Sequence, residues 1–134
     1  DFNVNVHTDS NGVIMGGSGG HSDTAAGAKL SIIVAPIMRA RMPLIVDRVG
    51  TISTPGEDID LLVTQYGLAC NPRRSELASR LECAGLPIVS IHDLKAKAES
   101  ITGVPTRSTH MGRAVARVIS RDGMLLDTIA MIED

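Results

Sequence analysis

The rhythm of apolar and polar positions changes along the chain. Phe2, Val4 and Val6 alternate with Asn3, Asn5 and His7, which predicts a half-buried strand. Asp9-Ser10-Asn11-Gly12 reads as a turn, Asn-Gly being a strong hairpin signal, and Val13-Ile14-Met15 resumes as a strand. Residues 30–36 are a continuous apolar run, suited to a strand covered on both faces. Residues 42–49 and 59–64 read as two further strands, with the turn Thr54-Pro55-Gly56-Glu57-Asp58 between them. The period then lengthens. Asn71-Pro72 starts a helix, with Asn as cap and Pro in the first turn, and Leu77, Leu81 and Ala84 follow at helical spacing up to Gly85-Leu86-Pro87. After a short strand at Ile88-Val89, Ser90-x-x-Asp93 is a capping box opening a helix with Leu94, Ala98 and Ile101 on one face. Residues 114–119 and 124–132 form a terminal hairpin turning at Asp122-Gly123. Strands first and strand–helix alternation later make this an α/β protein: a mixed-sheet lobe with helices near 75–84 and 93–101.

One stretch fits neither period. Residues 15–28 read Met-Gly-Gly-Ser-Gly-Gly-His-Ser-Asp-Thr-Ala-Ala-Gly-Ala, four glycines around one serine running into small residues. The alanine-rich residues 23–29 suit a short helix or a close-packed turn. A backbone stripped of side chains lets N–H groups approach a ligand and converge as an anion nest or an oxyanion hole. The spacing fits no nucleotide fingerprint: no lysine follows the glycines as a Walker loop requires, and no third glycine falls at the dinucleotide offset. Ser18 within Gly17-Ser18-Gly19 is too tightly flanked for a Gly-x-Ser-x-Gly nucleophile elbow. An anion or acyl cradle of another type remains. Its His21 serves either proton transfer or a structural hydrogen bond to Asp23.

Composition narrows the partners. The chain has 134 residues, 43% of them hydrophobic, with Phe2 and Tyr66 its only aromatic residues, so the core is aliphatic. A net charge of −2 and the lack of stacking platforms exclude a nucleic-acid binder. The longest apolar run falls far short of the roughly 18–20 residues of a membrane span. Cys70 and Cys83 form neither a CxxC pair nor a disulfide framework, which points to a reducing cytoplasm and free thiols. His7, His21, His92 and His110 are too scattered for a metal site. His92 reads as a surface residue in the first turn of a helix, and His110 is assigned no role. Arg48 at a strand end and Arg73 at a helix start are candidates for an arginine clamp on a carboxylate. Residues 64–69 leave a strand with Gly67 just past its end, the place where α/β folds put ligand loops.

The motifs Phe2-Asn3-Val4-Asn5-Val6, Gly19-Gly20-His21-Ser22-Asp23-Thr24-Ala25, Leu30-Ser31-Ile32-Ile33-Val34-Ala35-Pro36, Val46-Asp47-Arg48-Val49, Thr54-Pro55-Gly56, Ile59-Asp60-Leu61-Leu62-Val63-Thr64, Tyr66-Gly67-Leu68-Ala69, Asn71-Pro72-Arg73 and Arg121-Asp122-Gly123 occur here in one order. In that order they resemble the citrate lyase alpha subunit family, the citrate:acyl-carrier CoA-transferases. The resemblance covers nearly the whole chain and is weakest over 106–112. It implies a CoA-transferase-like fold of NagB/RpiA type, of which residues 1–134 are the carboxy-terminal part, cut near a strand. It implies transfer of an acyl-carrier thioester from acetate to citrate. The thioester is borne by a phosphoribosyl-dephospho-CoA group, or by CoA, and no metal is expected in this chain. The implied partners are the beta (lyase) and gamma (acyl-carrier) subunits in a cytoplasmic hetero-oligomer. In related CoA-transferases the glycine loop supplies backbone N–H groups near the thioester, and the resemblance carries that role onto Gly16, Gly19 and Gly20. Joined to the chemistry of the residues themselves, this makes Gly19, Gly20 and His21 the catalytic candidates, Gly16, Gly17 and Ser18 the thioester-binding ones, and Arg48 and Arg73 the carboxylate-binding ones. Residues 1–134 contain no Ser-Glu-Asn-Gly-like nucleophile motif of the kind many CoA-transferases use, which leaves two alternatives: that region lies upstream of Asp1, or the carboxylate attacks directly. Two other readings stay open: another carboxylate CoA-transferase, and a non-catalytic docking lobe of the lyase complex.

Overall fold

A computed structural model describes residues 1–106 and 112–132. The chain divides into two interleaved units, Asp1–Lys29 with Arg48–Asp58 and Thr106–Asp134, and Leu30–Asp47 with Ile59–Pro105.

In the first unit, the opening residues are held to the segment 51–56. Strand alternation there yields one antiparallel bridge, Val4 to Thr54, instead of a regular strand. The ladder stops because Phe2, buried, adopts a positive φ of 60° and Gly56 lies hard against the chain at that point. A Cβ on Gly56 would stand 2.0 Å from the Asp1 carbonyl oxygen, and the Gly56 N–H donates to Asn3 Oδ1 at 2.8 Å. The turn at 9–12 forms as expected, with Gly12 at φ 83°, but its flanks pair only through the Thr8–Ile14 bridge. The first helix, α1 (His21–Gly27), begins two residues earlier than its alanine content suggests. A 3-10 turn follows at Gly56–Asp58. The carboxyl of Asp58 is raised from its ordinary value, first by burial and then by the neighbouring Glu57. The terminal hairpin is present as β6 (Ala114–Ile119) and β7 (Leu125–Ala130), antiparallel, with Val118 and Ile129 buried. Asp127 ties it to the rest of the unit, its Oδ2 accepting the Ile52 N–H at 2.8 Å.

The second unit holds a three-stranded mixed sheet. Strand β1 (Ile32–Val34) runs parallel to β4 (Leu61–Thr64), which pairs antiparallel with β5 (Gly67–Cys70). Strand β1 is at the edge, and Val34 is 78% exposed, so the apolar run is not covered on both faces by the described residues. Residues 42–49 do not form a long strand. Only β3 (Met42–Pro43) pairs, with β2 (Met38–Arg39), because Pro43 lacks an N–H and Ala40 turns the chain at φ 53°. Residues 64–69 form the tip of the β4–β5 hairpin, turning at Gln65-Tyr66, so that Gly67 opens β5. Gly67 makes this possible: it adopts φ 136° and lies so close to Val89 that a Cβ would come within 2.9 Å of its side chain.

Both helices of the second unit match their sequence signals. Asn71 caps a 3-10 turn, Pro72–Arg74, by accepting the Arg73 N–H, and α2 (Ser75–Cys83) follows. Ser90 caps α3 (Ile91–Thr102), which buries Leu94 and Ala98 and ends at Gly103, φ 78°. Lys95 on α3 reaches Asp47 Oδ1 at 2.9 Å and Glu99 Oε1 at 3.3 Å. One charge is placed deep. Asp60, 2% exposed, precedes β4, accepts the Ser31 N–H on Oδ2 at 2.8 Å and pairs through Oδ1 with the Arg74 guanidinium. No helix among the described residues is long and apolar enough to cross a membrane.

Candidate functional site

The glycine loop is held at both ends, and on each side a hydroxyl anchors a histidine ring. On the entry side, the Asp9 carboxylate accepts the N–H groups of Asn11 (2.8 Å) and Val13 (2.9 Å), fixing the turn. Met15 N–H then donates to the His7 carbonyl at 2.7 Å. The His7 ring is itself anchored, Nδ1 lying 2.7 Å from Ser53 Oγ. On the exit side, His21 N–H donates to the Ser18 carbonyl at 3.2 Å and Thr24 N–H to the Gly20 carbonyl at 2.9 Å, which starts α1. The His21 ring places Nδ1 2.7 Å from Thr54 Oγ1.

Ser53 and Thr54 belong to a rigid segment. Both of their N–H groups donate to the Val4 carbonyl, at 2.8 and 3.2 Å, and Thr54 accepts the Val4 N–H at 3.0 Å. Thr51 Oγ1 accepts from Thr8 Oγ1 at 3.0 Å, and Thr51, Ser53 and Thr54 are all buried. Buried side-chain hydroxyls in a chain whose core is aliphatic persist because each has a partner.

Between these anchors, the N–H groups of residues 16–20 make no hydrogen bond to the protein among the described residues. The glycines are not explained by packing. A Cβ on Gly16 or Gly17 would meet nothing within 4 Å, and only Gly19, at φ 57°, needs glycine for its conformation. The loop is therefore a run of exposed, unpaired donors with open space beside them, which is what an anion or a developing oxyanion requires.

The candidate residues divide between the two units. Gly16, Gly17, Ser18, Gly19, Gly20 and His21 are contiguous in the first, which also contains the exposed Arg48. Arg73 lies in the second, exposed on the 3-10 turn after Asn71. Of the two roles open to His21, the structural bond to Asp23 is not formed; its ring partner is Thr54, 33 residues away. His92 is exposed on the first turn of α3, as its position suggested, and His110 lies outside the described residues. No group of three metal-ligating side chains occurs among the described residues. Cys70 and Cys83 are free thiols. Sequence reasoning missed the anchoring hydroxyls. Their one signal was Thr54-Pro55-Gly56, legible as a turn but silent about which ring it receives.

Comparison with known proteins places the chain in a family. A family model described as the citrate lyase alpha subunit (CitF) matches residues 1–132. The citrate lyase alpha chain of Klebsiella pneumoniae is 50% identical over 134 residues, 100% of this chain and 26% of that protein. The alpha chain of Escherichia coli (strain K12) is 50% identical over 133 residues, 99% of this chain and again 26% of the relative. A Streptococcus mutans crystal structure, described as an alpha subunit of citrate lyase in complex with citrate, superposes with a TM-score of 0.94 at 43% identity, covering 99% of this chain and 26% of that one. The chain thus spans about a quarter of the length of these relatives. With a family model running almost end to end and half of all positions identical to two alpha chains, this chain belongs to the citrate lyase alpha subunit family.

Proposed function

We propose that the intact subunit carrying this segment exchanges acyl groups on a carrier thioester, converting acetyl-carrier and citrate into citryl-carrier and acetate. The observation that carries this reading is the run of unpaired amides at residues 16–20 beside a half-buried histidine, in a chain of this family. Exchange of one carboxylate for another at a thioester needs neither a redox partner nor a metal. It needs donors where the thioester carbonyl gathers negative charge, each worth on the order of 10²- to 10³-fold in rate. The loop amides, with Gly19, Gly20 and His21 nearest the reacting carbonyl and Gly16, Gly17 and Ser18 along the thioester, suit that role. The open space beside Gly16 and Gly17 fits the approach of a phosphoribosyl-dephospho-CoA arm, which supplies the thioester when bound. Arg48, in the same unit as the loop, and Arg73, in the other unit, are each a candidate cationic fork for a carboxylate of citrate or acetate. The crystallised relative that holds citrate supports that substrate. The partners in this reading are the beta and gamma subunits of a cytoplasmic lyase complex.

The test is an acetyl-to-citryl exchange assay on the intact subunit with acetylated carrier, with a Gly17→Ala variant alongside. Gly17 has an unremarkable φ and free space, so alanine there leaves the fold intact and obstructs only an incoming ligand. A fall in exchange of about tenfold or more, at an unchanged melting temperature, is expected. Full exchange in Gly17→Ala would remove the loop from the site, and no exchange in the parent protein would favour the docking-lobe reading.

A further inference from the structure

Both stems of the glycine loop rest on one dipeptide, Ser53-Thr54, through the Nδ1 atoms of two histidines. The direction of the second bond follows from the donor count. Thr54 is 0% exposed, and among the described residues the only partner of its hydroxyl is His21 Nδ1. If Nδ1 carried the proton, the hydroxyl would accept it and its own hydrogen would be buried without an acceptor. If the hydroxyl donates, only a lone pair is left unused, the smaller loss. Thr54 therefore donates to Nδ1, and the neutral ring carries its hydrogen on Nε2. The same count holds on the other stem. Ser53 Oγ already accepts the Val6 N–H at 2.9 Å, which leaves its hydrogen for His7 Nδ1.

We propose that Thr54 is a positioning residue that fixes His21 as the Nε2–H tautomer. His21 then acts in the acyl exchange as a hydrogen-bond donor to the oxygen that gains charge, not as a proton-abstracting base. This rests on the transfer reaction proposed above. His21 Nε2 has no protein partner among the described residues, and the residue directly follows the loop whose amides are also unpaired. A ring with Nδ1 engaged and Nε2 protonated has no lone pair to take a proton, but it adds one more neutral donor to that row.

Four variants of the intact subunit separate the roles. Thr54→Val removes the hydroxyl at nearly constant volume and Thr54→Ser keeps it. His21→Gln retains an N–H donor without a basic nitrogen, and His21→Ala retains neither. In the exchange assay, Thr54→Val lowers kcat about 10- to 100-fold with KM for citrate within about threefold, and Thr54→Ser recovers most of that loss. His21→Ala loses about 10²- to 10³-fold, and His21→Gln regains at least about tenfold of it. A base would make His21→Gln as poor as His21→Ala, both down by about 10²- to 10⁴-fold, and that result overturns the proposal. So does an unchanged rate in Thr54→Val. The tautomer is read independently from the ¹⁵N spectrum of histidine-labelled protein, with His21 assigned by its loss in His21→Gln. A pyrrole-type Nε2 and pyridine-type Nδ1 are expected in the parent, and mixed tautomers in Thr54→Val. A pyridine-type Nε2 in the parent refutes the proposal whatever the kinetics. Absence of exchange in the parent refutes the transfer reading and leaves the tautomer to the spectrum. If Thr54→Val does not fold, Thr54→Ser, the glutamine variant and the parent spectrum decide.

Discussion

Removing the Asp60 carboxylate tests what a buried charge does in the second unit. Asp60→Ala leaves the Ser31 N–H, in a residue only 8% exposed, without its acceptor at 2.8 Å. An unmade buried donor costs about 1–3 kcal/mol. The lost pairing with Arg74 adds less than about 1 kcal/mol, because the arginine side chain is 51% exposed and water replaces the carboxylate. Together these give about 2–4 kcal/mol, a large part of the stability of a small domain, which is about 5–15 kcal/mol. Asp60→Asn keeps one carbonyl oxygen for Ser31 and costs about 1–2 kcal/mol, the difference between a charge-assisted bond and a neutral one. Arg74→Ala leaves the Ser31 bond intact and costs about 1 kcal/mol or less, because the guanidinium it removes is half-exposed and screened by water. Urea unfolding measures all three as shifts of midpoint at constant m-value. The expected order is Asp60→Ala, then Asp60→Asn, then Arg74→Ala. An Arg74→Ala variant as unstable as Asp60→Ala would refute the reasoning, because the ion pair and not the backbone bond would then hold the carboxylate in place.

Other outcomes follow from single groups. Because the folded state holds the Asp58 carboxyl above its unfolded value, stability falls as pH rises through that window; Asp58→Asn therefore raises the melting temperature at pH 7, and the gain disappears below the ordinary carboxylate range, where both states are protonated. A gain that persists at low pH would rule out this account. Gly56→Ala forces a Cβ to within 2.0 Å of the Asp1 carbonyl oxygen and costs about 1–3 kcal/mol of stability by chemical unfolding, where an unperturbed midpoint would contradict the packing. The Cys70 thiol is pushed up first by burial and then by Asp60, against a lowering by Arg74, so a disulfide reagent labels the exposed Cys83 before Cys70. Equal rates, or Cys70 first, would contradict it.

Local signals were legible and long-range ones were not. Asn71-Pro72, Ser90 and Asp122-Gly123 each act within a few residues, and the capped turn, α3 and the terminal hairpin stand where those residues put them. The β4–β5 hairpin was misread because Gly67 marks a strand start as well as a loop end, and only the closeness of Val89 distinguishes the two. The apolar run at 30–36 looked doubly covered. Its Val34 and Ile32 are instead exposed, because β1 is an edge strand among the described residues. The glycine loop announced itself by composition, but the hydroxyls that hold it lie 33 and 46 residues from their histidines, beyond any local pattern. Asp60 was hidden for the same reason, its partners being Ser31 and Arg74.

The interleaving of the two units sets an order of events during synthesis. Every residue of the second unit has left the ribosome once Pro105 has emerged. The first unit is still incomplete at that point. Ile52 N–H waits for Asp127, 75 residues later, and until then the segment carrying Ser53 and Thr54 lacks the β6–β7 hairpin that braces it. At about 5–20 residues per second that interval is on the order of a second or more. The segment that anchors the glycine loop is thus secured later than the sheet of the second unit, and a nascent chain stalled shortly after Pro105 would carry a finished sheet and an unfinished site.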